Sequence, residues 1–274
     1  MANEIQIECP ISGKLMEPVF SEIILKKYTV TYYYCKESGL LKTETPYWLD
    51  EAYQNAINDT DTGLVARNIS NSNMLEVVLG CLGIENGKLL DVAGGYGLLT
   101  RLMRDKGFDC YTTDKYCKNL FAKTFEPGAH FKADALFAFE VLEHTEDPLQ
   151  FLLEVFRTYN CKTIIFSTLT FGNQIPSNDW WYYAFEGGQH ITFYQARTLS
   201  LLADCLGCKY YMLNPGLHII TNKNIRRVSK VIFSNNKLRR LYSFYVRSKR
   251  KKLSKTWDDH LKMKAPSQDK LTKR

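Results

Sequence analysis

Four groups of residues have the types and spacing that chemistry needs. Asp91 precedes a turn of small residues, Ala93-Gly94-Gly95-Tyr96-Gly97, and Asp114 ends the next apolar run 23 residues after Asp91. Glycine lets a backbone take positive φ, or approach a ligand with no Cβ between them. A turn of this kind outside the carboxyl ends of parallel strands is where α/β sheets bind nucleotides, and an acid on the next strand can accept hydrogen bonds from ribose hydroxyls. Asp91, Ala93, Gly94, Gly95, Gly97 and Asp114 are therefore read as a site for an adenosine-type cofactor. The apolar run at 137–142 delivers Glu140, Glu143 and His144 to the same edge, three groups able to ligate a metal or move a proton. Further on, Trp180, Trp181, Tyr182 and Tyr183 precede a polar, glycine-rich stretch that ends in Gln189 and His190. Flat rings with a few hydrogen-bonding groups suit a sugar or another small acceptor.

The elements that must carry these groups follow from periodicity. Apolar runs predict strands near 88–92, 109–113, 134–140, 163–168, 208–213 and 217–221. Helical spacing predicts helices near 97–106, 115–122, 147–158 and 194–206, the third opened by Asp147-Pro148, an N-cap with proline at the first helical position. Strands alternating with helices read as a doubly wound, mostly parallel sheet. Ahead of it, residues 1–45 are rich in β-formers and read as a small antiparallel module, and the segment from 46 to 83 turns helical. Behind it, residues 223–252 place apolar side chains at helical spacing among Arg226, Arg227, Lys230, Arg239 and Arg240. The expected division is a β module over 1–45, an α/β domain over 46–222 and a basic helical tail over 223–274.

Asp91 to Gly97 resembles the first motif of class I S-adenosylmethionine-dependent methyltransferases, Asp/Glu-x-Gly-x-Gly-x-Gly, with Ala93 at the first glycine as a mild departure. The resemblance implies a Rossmann-like methyltransferase fold, S-adenosylmethionine as cofactor, Asp91 and Glu140 near the cofactor and Asp114 on its ribose. Glu140-Val141-Leu142-Glu143-His144 followed by Asp147-Pro148 is similar to the matching segment of ubiquinone-biosynthesis O-methyltransferases. It implies a divalent cation such as magnesium on Glu140, Glu143 and His144. The run from Trp180 to His190 resembles the substrate side of methyltransferases of bacterial polysaccharide pathways, implying Trp180, Trp181, Tyr182, Tyr183 and Gln189 as acceptor contacts. Transfer to a hydroxyl needs a base near neutral pH, for which His190 is the first candidate and His144 the second. Cys9 to Ser12 and Cys35 to Ser38 resemble the paired knuckles of an N-terminal zinc ribbon in which serine replaces the second cysteine of each. Two thiolates are too few for a structural zinc, so the ribbon is expected without metal.

The expected activity is O-methylation of a glycan or other small-molecule acceptor in a biosynthetic pathway such as polysaccharide synthesis. Two rival readings are an RNA methyltransferase and a non-catalytic scaffold. The first leans on charge: residues 222–274 hold 18 lysines and arginines against three aspartates, a balance of +15 that leaves −8 for residues 1–221 within the chain's +7. Every motif lies in the acidic part, and Phe139-Glu140-Val141-Leu142 stands where a base-flipping tetrapeptide of the Asn-Pro-Pro-Tyr type would, so the tail is read first as a segment whose apolar face docks on its own core or on a second subunit, then as a membrane contact, and last as a nucleic-acid arm. No signal-like or membrane-spanning run is present, which gives an expected cytoplasmic protein, peripheral at the inner membrane face through residues 223–252. The eight cysteines are expected as free thiols, with Cys205 and Cys208 buried.

Overall fold

The structure is a computed structural model and describes residues 6–54, 62–225, 229, 232, 235–250 and 253–264. The expected strands form one six-stranded sheet. Its members are β4 (Lys88–Val92), β5 (Asp109–Thr113), β6 (Ala135–Ala138), β7 (Thr163–Ser167), β10 (Lys209–Asn214) and β11 (Leu217–Thr221), in the order β10-β11-β7-β6-β4-β5. The four strands β7, β6, β4 and β5 run parallel, while β11 and β10 close the edge antiparallel as a hairpin. Strand order reverses beside β4, which leaves a crevice at its carboxyl end.

Side chains alternate across this sheet with period two. Leu90, Leu136, Ile164 and Phe166 pack on the face of α4 (Pro148–Thr158) and α5 (Ala196–Cys205), and Leu89, Phe137 and Ile165 on the face of α2 (Leu64–Leu82) and α3 (Leu98–Asp105). The sheet is therefore apolar on both faces, as a buried parallel sheet must be. α4 begins as expected, with the Asp147 carboxylate accepting from Gln150 N and Pro148 in the first turn.

A second sheet runs in the order β1-β2-β3-β9-β8. β1 (Glu17–Ile24), β2 (Tyr28–Tyr34) and β3 (Leu41–Thr43) come from the N-terminal segment, whereas β8 (Thr170–Phe171) and β9 (Thr192–Gln195) come from the loop between β7 and α5. β3 and β9 pair through Leu41 and Phe193, so the N-terminal strands and the His190 loop share one sheet and one core around Tyr32, Trp48, Tyr183 and Phe193. The ribbon knuckles keep their turns, since Gly13 N donates to Cys9 O and Gly39 N to Cys35 O. Where zinc ligands would stand, Cys9 Sγ lies 3.2 Å from Ser38 Oγ and Cys35 Sγ 3.4 Å from Ser12 Oγ.

Three expectations change. Residues 115–122 form no helix: Asn119 binds Ala122 through its side chain, and Leu120 and Phe121 give their amides to Tyr96 O. Polar side chains that bind nearby backbone compete with the helical ladder, and here they win. The third strand stops at Ala138, two residues early, because Glu140 sits at φ +55° in the left-handed region. Cys205 is exposed, while Cys208 is buried as expected.

The tail forms two helices, α6 (Asn236–Arg250) and α7 (Thr256–Lys264). α6 packs on α2 through Val246 and Tyr242, beside Gly80. α7 docks on α3 through a buried pair in which Asp259 accepts from Arg104 Nε at 2.8 Å and Nη2 at 2.6 Å, with Arg101 at 2.9 Å from the same carboxylate. Most of the expected tail region between 226 and 234 lies outside the described residues. Among the described residues no helix is long and apolar enough to cross a membrane.

Candidate active site

Register brings the first group together. Asp91 pairs with Thr112 of β5 and Phe137 of β6, so the strands end level and the glycine turn, Asp114 and Glu140 share one edge. Gly95 and Gly97 take φ of +58° and +81°, and a Cβ on Gly95 would meet nothing within 4 Å. The turn is held by Gly94 N on Thr113 O and by Gly95 N on the Asp114 carboxylate at 2.8 Å. Ala93 also lies in the left-handed region, at φ +55°, so its substitution for glycine is less mild than expected and stores about 1 kcal/mol of strain.

The two acids differ. Asp91 is buried, its Oδ2 has no partner, and burial followed by the nearby Asp114 charge pushes its carboxyl up to about 8. Asp114 already accepts from the backbone amides of Gly95, Tyr116 and Cys117, which occupies three of about four carboxylate lone-pair positions. That leaves about one position for a ribose hydroxyl.

The histidines meet because two distant segments pair. Ile191 N donates to Glu143 O, Thr192 Oγ1 to Thr145 O and the Tyr194 hydroxyl to Leu142 O, which clamps 191–194 on the turn at 142–145. His144 and His190 then stand with ring centroids 4.9 Å apart. His144 Nδ1 lies 3.0 Å from Gln189 O and His190 Nδ1 2.7 Å from Tyr182 O. A carbonyl only accepts, so each Nδ1 carries the proton and each Nε2 keeps a lone pair. Burial lowers both: His144 to about 3, with His190 as the second cause, and His190 below its ordinary value against the opposing pull of the Tyr182 carbonyl and Glu140. Glu143 is fully buried and accepts the Tyr182 hydroxyl at 2.6 Å, and burial raises its carboxyl to about 8.

Glu140 does not join Glu143 and His144. Its left-handed backbone turns the carboxylate to Ser167, whose hydroxyl donates to it at 2.6 Å. Among the described residues, the one set of three potential ligands that converges is Glu143, His144 and His190, with ligand atoms within 4.8 Å of one another. Two imidazoles and one carboxylate suit a transition ion, whereas magnesium takes oxygen ligands. The expected magnesium trio therefore does not form, and the residues present do not fit that ion.

The aromatic run also divides. Tyr182 and Tyr183 point inward, Tyr183 into the core beside Tyr32, Phe185 and Phe193 with its hydroxyl on Pro176 O. Trp180 is half-buried against Tyr182 and Tyr183, and Trp181 alone faces solvent, 74% exposed. The rings stabilise the second sheet, so a four-ring floor is replaced by one exposed indole. Gln189 is a strut, its side-chain amide donating to Ala52 O at 2.7 Å and its backbone carbonyl accepting from His144 Nδ1. A pair absent from the sequence reading lies nearby: Tyr53 stacks on Tyr116 at 5.3 Å, and the Tyr53 ring is 6.3 Å from His144. Tyr116, exposed two residues beyond Asp114, was visible as an aromatic at the sheet edge; Tyr53, in another segment, carried no such signal.

Residues 67–212, more than half of the chain, match a family model described as a methyltransferase domain. The chain belongs to that family. Among solved structures, the chain is similar to magnesium protoporphyrin IX methyltransferase (ChlM) from Synechocystis PCC 6803 with bound SAH. Identity is 13%, coverage 64% of this chain and 94% of that one, and the TM-score 0.42. It is also similar to CalO1, a methyltransferase in calicheamicin biosynthesis in its SAH-bound form, at 12% identity over 63% of this chain with a TM-score of 0.41. The chain spans 60% of the length of that structure's chain. A third likeness is an O-methyltransferase family 2 protein from Planctomyces limnophilus DSM 3776 in complex with apigenin, at 13% identity, 64% and 65% coverage and a TM-score of 0.42. No curated protein matches the sequence.

Proposed function

We propose that the chain transfers a methyl group from S-adenosylmethionine to a hydroxyl oxygen of a glycan or other small-molecule acceptor, with His190 as general base. The observation that carries this reading is the His144–His190 pair, with ring centroids 4.9 Å apart and each Nδ1 fixed on a backbone carbonyl, on the loop side of the same sheet that carries the glycine turn. The cofactor fits the turn on two counts: the unpartnered Asp91 Oδ2 and the open space over Gly95. Asp91, Gly95, Gly97 and the remaining acceptor position of Asp114 would hold it, while Glu140, engaged by Ser167, shapes the rim. When bound, S-adenosylmethionine supplies an electrophilic methyl on a sulfonium.

His190 Nε2, which keeps its lone pair, would take the acceptor's hydroxyl proton as that oxygen is methylated. His190 is the better base because His144, held near 3, parts with a proton far too readily. Tyr182 and Glu143 position His190, the first through its carbonyl on Nδ1 and the second through the backbone of Ile191. Most of the rate comes from holding the nucleophile in line. Trp181 and the Tyr53–Tyr116 pair are the rings placed to meet an acceptor.

His190→Gln tests the assignment. Turnover should fall about 100-fold or more while calorimetry finds S-adenosylmethionine still bound. The wild-type profile of kcat/KM should rise with pH through an inflection below the ordinary histidine value of 6.5. Near-normal turnover of the variant with the cofactor bound would exclude His190 as base.

A further inference from the structure

α6 turns its largest apolar side chains away from the protein. Val246 is buried and Tyr242 half-buried against α2, which uses one face of the helix. On the opposite face Leu241 and Phe244 are 65% and 69% exposed, one turn apart, with Tyr245 beside them and Leu238 one turn earlier. Exposed Lys237 and Arg240 flank this stripe, and Lys249-Arg250-Lys251-Lys252 follows it in sequence. Next to the stripe, between α2 and α6, lies a crevice of about 500 Å³. Its polar wall is Ser70, Asn73, Arg240 and Ser243, and its apolar wall Met74 and Phe244. Hydroxyls, an amide and a guanidinium over an apolar floor match a phosphate ester that carries a hydrocarbon chain.

We propose that the outward face of α6 docks on the surface of an anionic phospholipid bilayer. Leu241 and Phe244 enter the interfacial layer, Lys237 and Arg240 meet headgroup phosphates, and the crevice receives one headgroup. Charge complementarity favours this occupant, since the tail carries +15 and the rest of the chain −8. The apolar stripe decides between lipid and nucleic acid: an arm that tracks phosphates has no use for Leu241 facing out, whereas a helix lying in a bilayer interface needs such a face. Among the described residues no helix can cross the membrane, so attachment is peripheral. Docking does not depend on the chemistry at the sheet edge.

The full chain is sedimented with vesicles of phosphatidylcholine alone, and of phosphatidylcholine with one quarter phosphatidylglycerol, at physiological salt. It should pellet with the second and not the first. Leu241→Ser with Phe244→Ser, both outward and so compatible with folding, should weaken that binding about tenfold or more without moving the thermal midpoint. Tyr245→Trp in the otherwise intact chain gives a second readout, an indole emission that shifts to the blue on anionic vesicles. Equal pelleting with both vesicle types, unchanged binding by the double variant or an unshifted indole overturns the proposal. So does a single-stranded RNA oligomer that displaces the vesicles and binds the double variant as well as the wild type.

Discussion

Asp91→Asn should make the ligand-free protein more stable at neutral pH and less able to bind its cofactor. Asp91 is 2% exposed, and its carboxyl stands at about 8 against an ordinary 3.8, first because it is buried and then because Asp114 is near. An acid whose folded value lies above its unfolded value keeps its proton in the native state after the unfolded chain has lost it. Native stability therefore falls as pH rises through the window from 3.8 to about 8. The slope approaches about 1.4 kcal/mol per pH unit, so the loss at pH 7 is on the order of 4 kcal/mol. Asparagine has the same shape and no titration. Its advantage over the wild type should grow by about 3 kcal/mol between pH 5 and pH 7.5, while the other titrating groups, common to both proteins, cancel. Urea unfolding of both forms without ligand across that range measures the difference. S-adenosylmethionine should raise the melting temperature of the wild type and leave the variant's unmoved. A stability difference that does not change with pH would refute the argument that Asp91 is buried and protonated before the cofactor arrives.

Two further outcomes follow from the termini. Asp259→Ala takes the shortest partner from the Arg104 guanidinium, which keeps Cys110 O at 3.0 Å, Asp109 at 3.3 Å and the face of Phe125 at 3.5 Å. Breaking such a buried pair should cost about 3–5 kcal/mol in urea unfolding and expose α7 to trypsin, and unchanged cleavage would show that α7 does not depend on it. Ser12→Cys with Ser38→Cys completes four thiols where Cys9 already meets Ser38 and Cys35 meets Ser12. The double variant should bind one zinc by elemental analysis where the wild type binds none, and its failure to do so would mean the knuckles no longer converge.

The parts of the fold written in local pattern were legible. β4, β5 and β7 lie where apolar runs put them, and α4 starts at the cap that Asp147-Pro148 spells out. What failed was decided by partners far away in sequence. Leu120 and Phe121 have an acceptable helical pattern, yet their amides go to Tyr96 O, which no window around residue 118 contains. Glu140, Glu143 and His144 look like one group because they are neighbours in sequence. The group that forms exchanges Glu140 for His190, 50 residues on, through a left-handed backbone at one and strand pairing at the other. Tyr182 and Tyr183 looked available to a ligand because the residues around them are polar and glycine-rich, but β1–β3 supply the core that buries them.

The β3–β9 pairing bears on how such a protein can be cut and recombined. The segment that matches the methyltransferase domain, 67–212, contains His190 but none of β1, β2, β3 or Trp48, whose indole donates to Gly188 O two residues before that histidine. Transplanting that segment alone would move the histidine without the wall that aims it. The N-terminal strands therefore behave less like an appended cassette than like one half of a mould, with β3 and Trp48 on one side and β9 and Gly188 on the other.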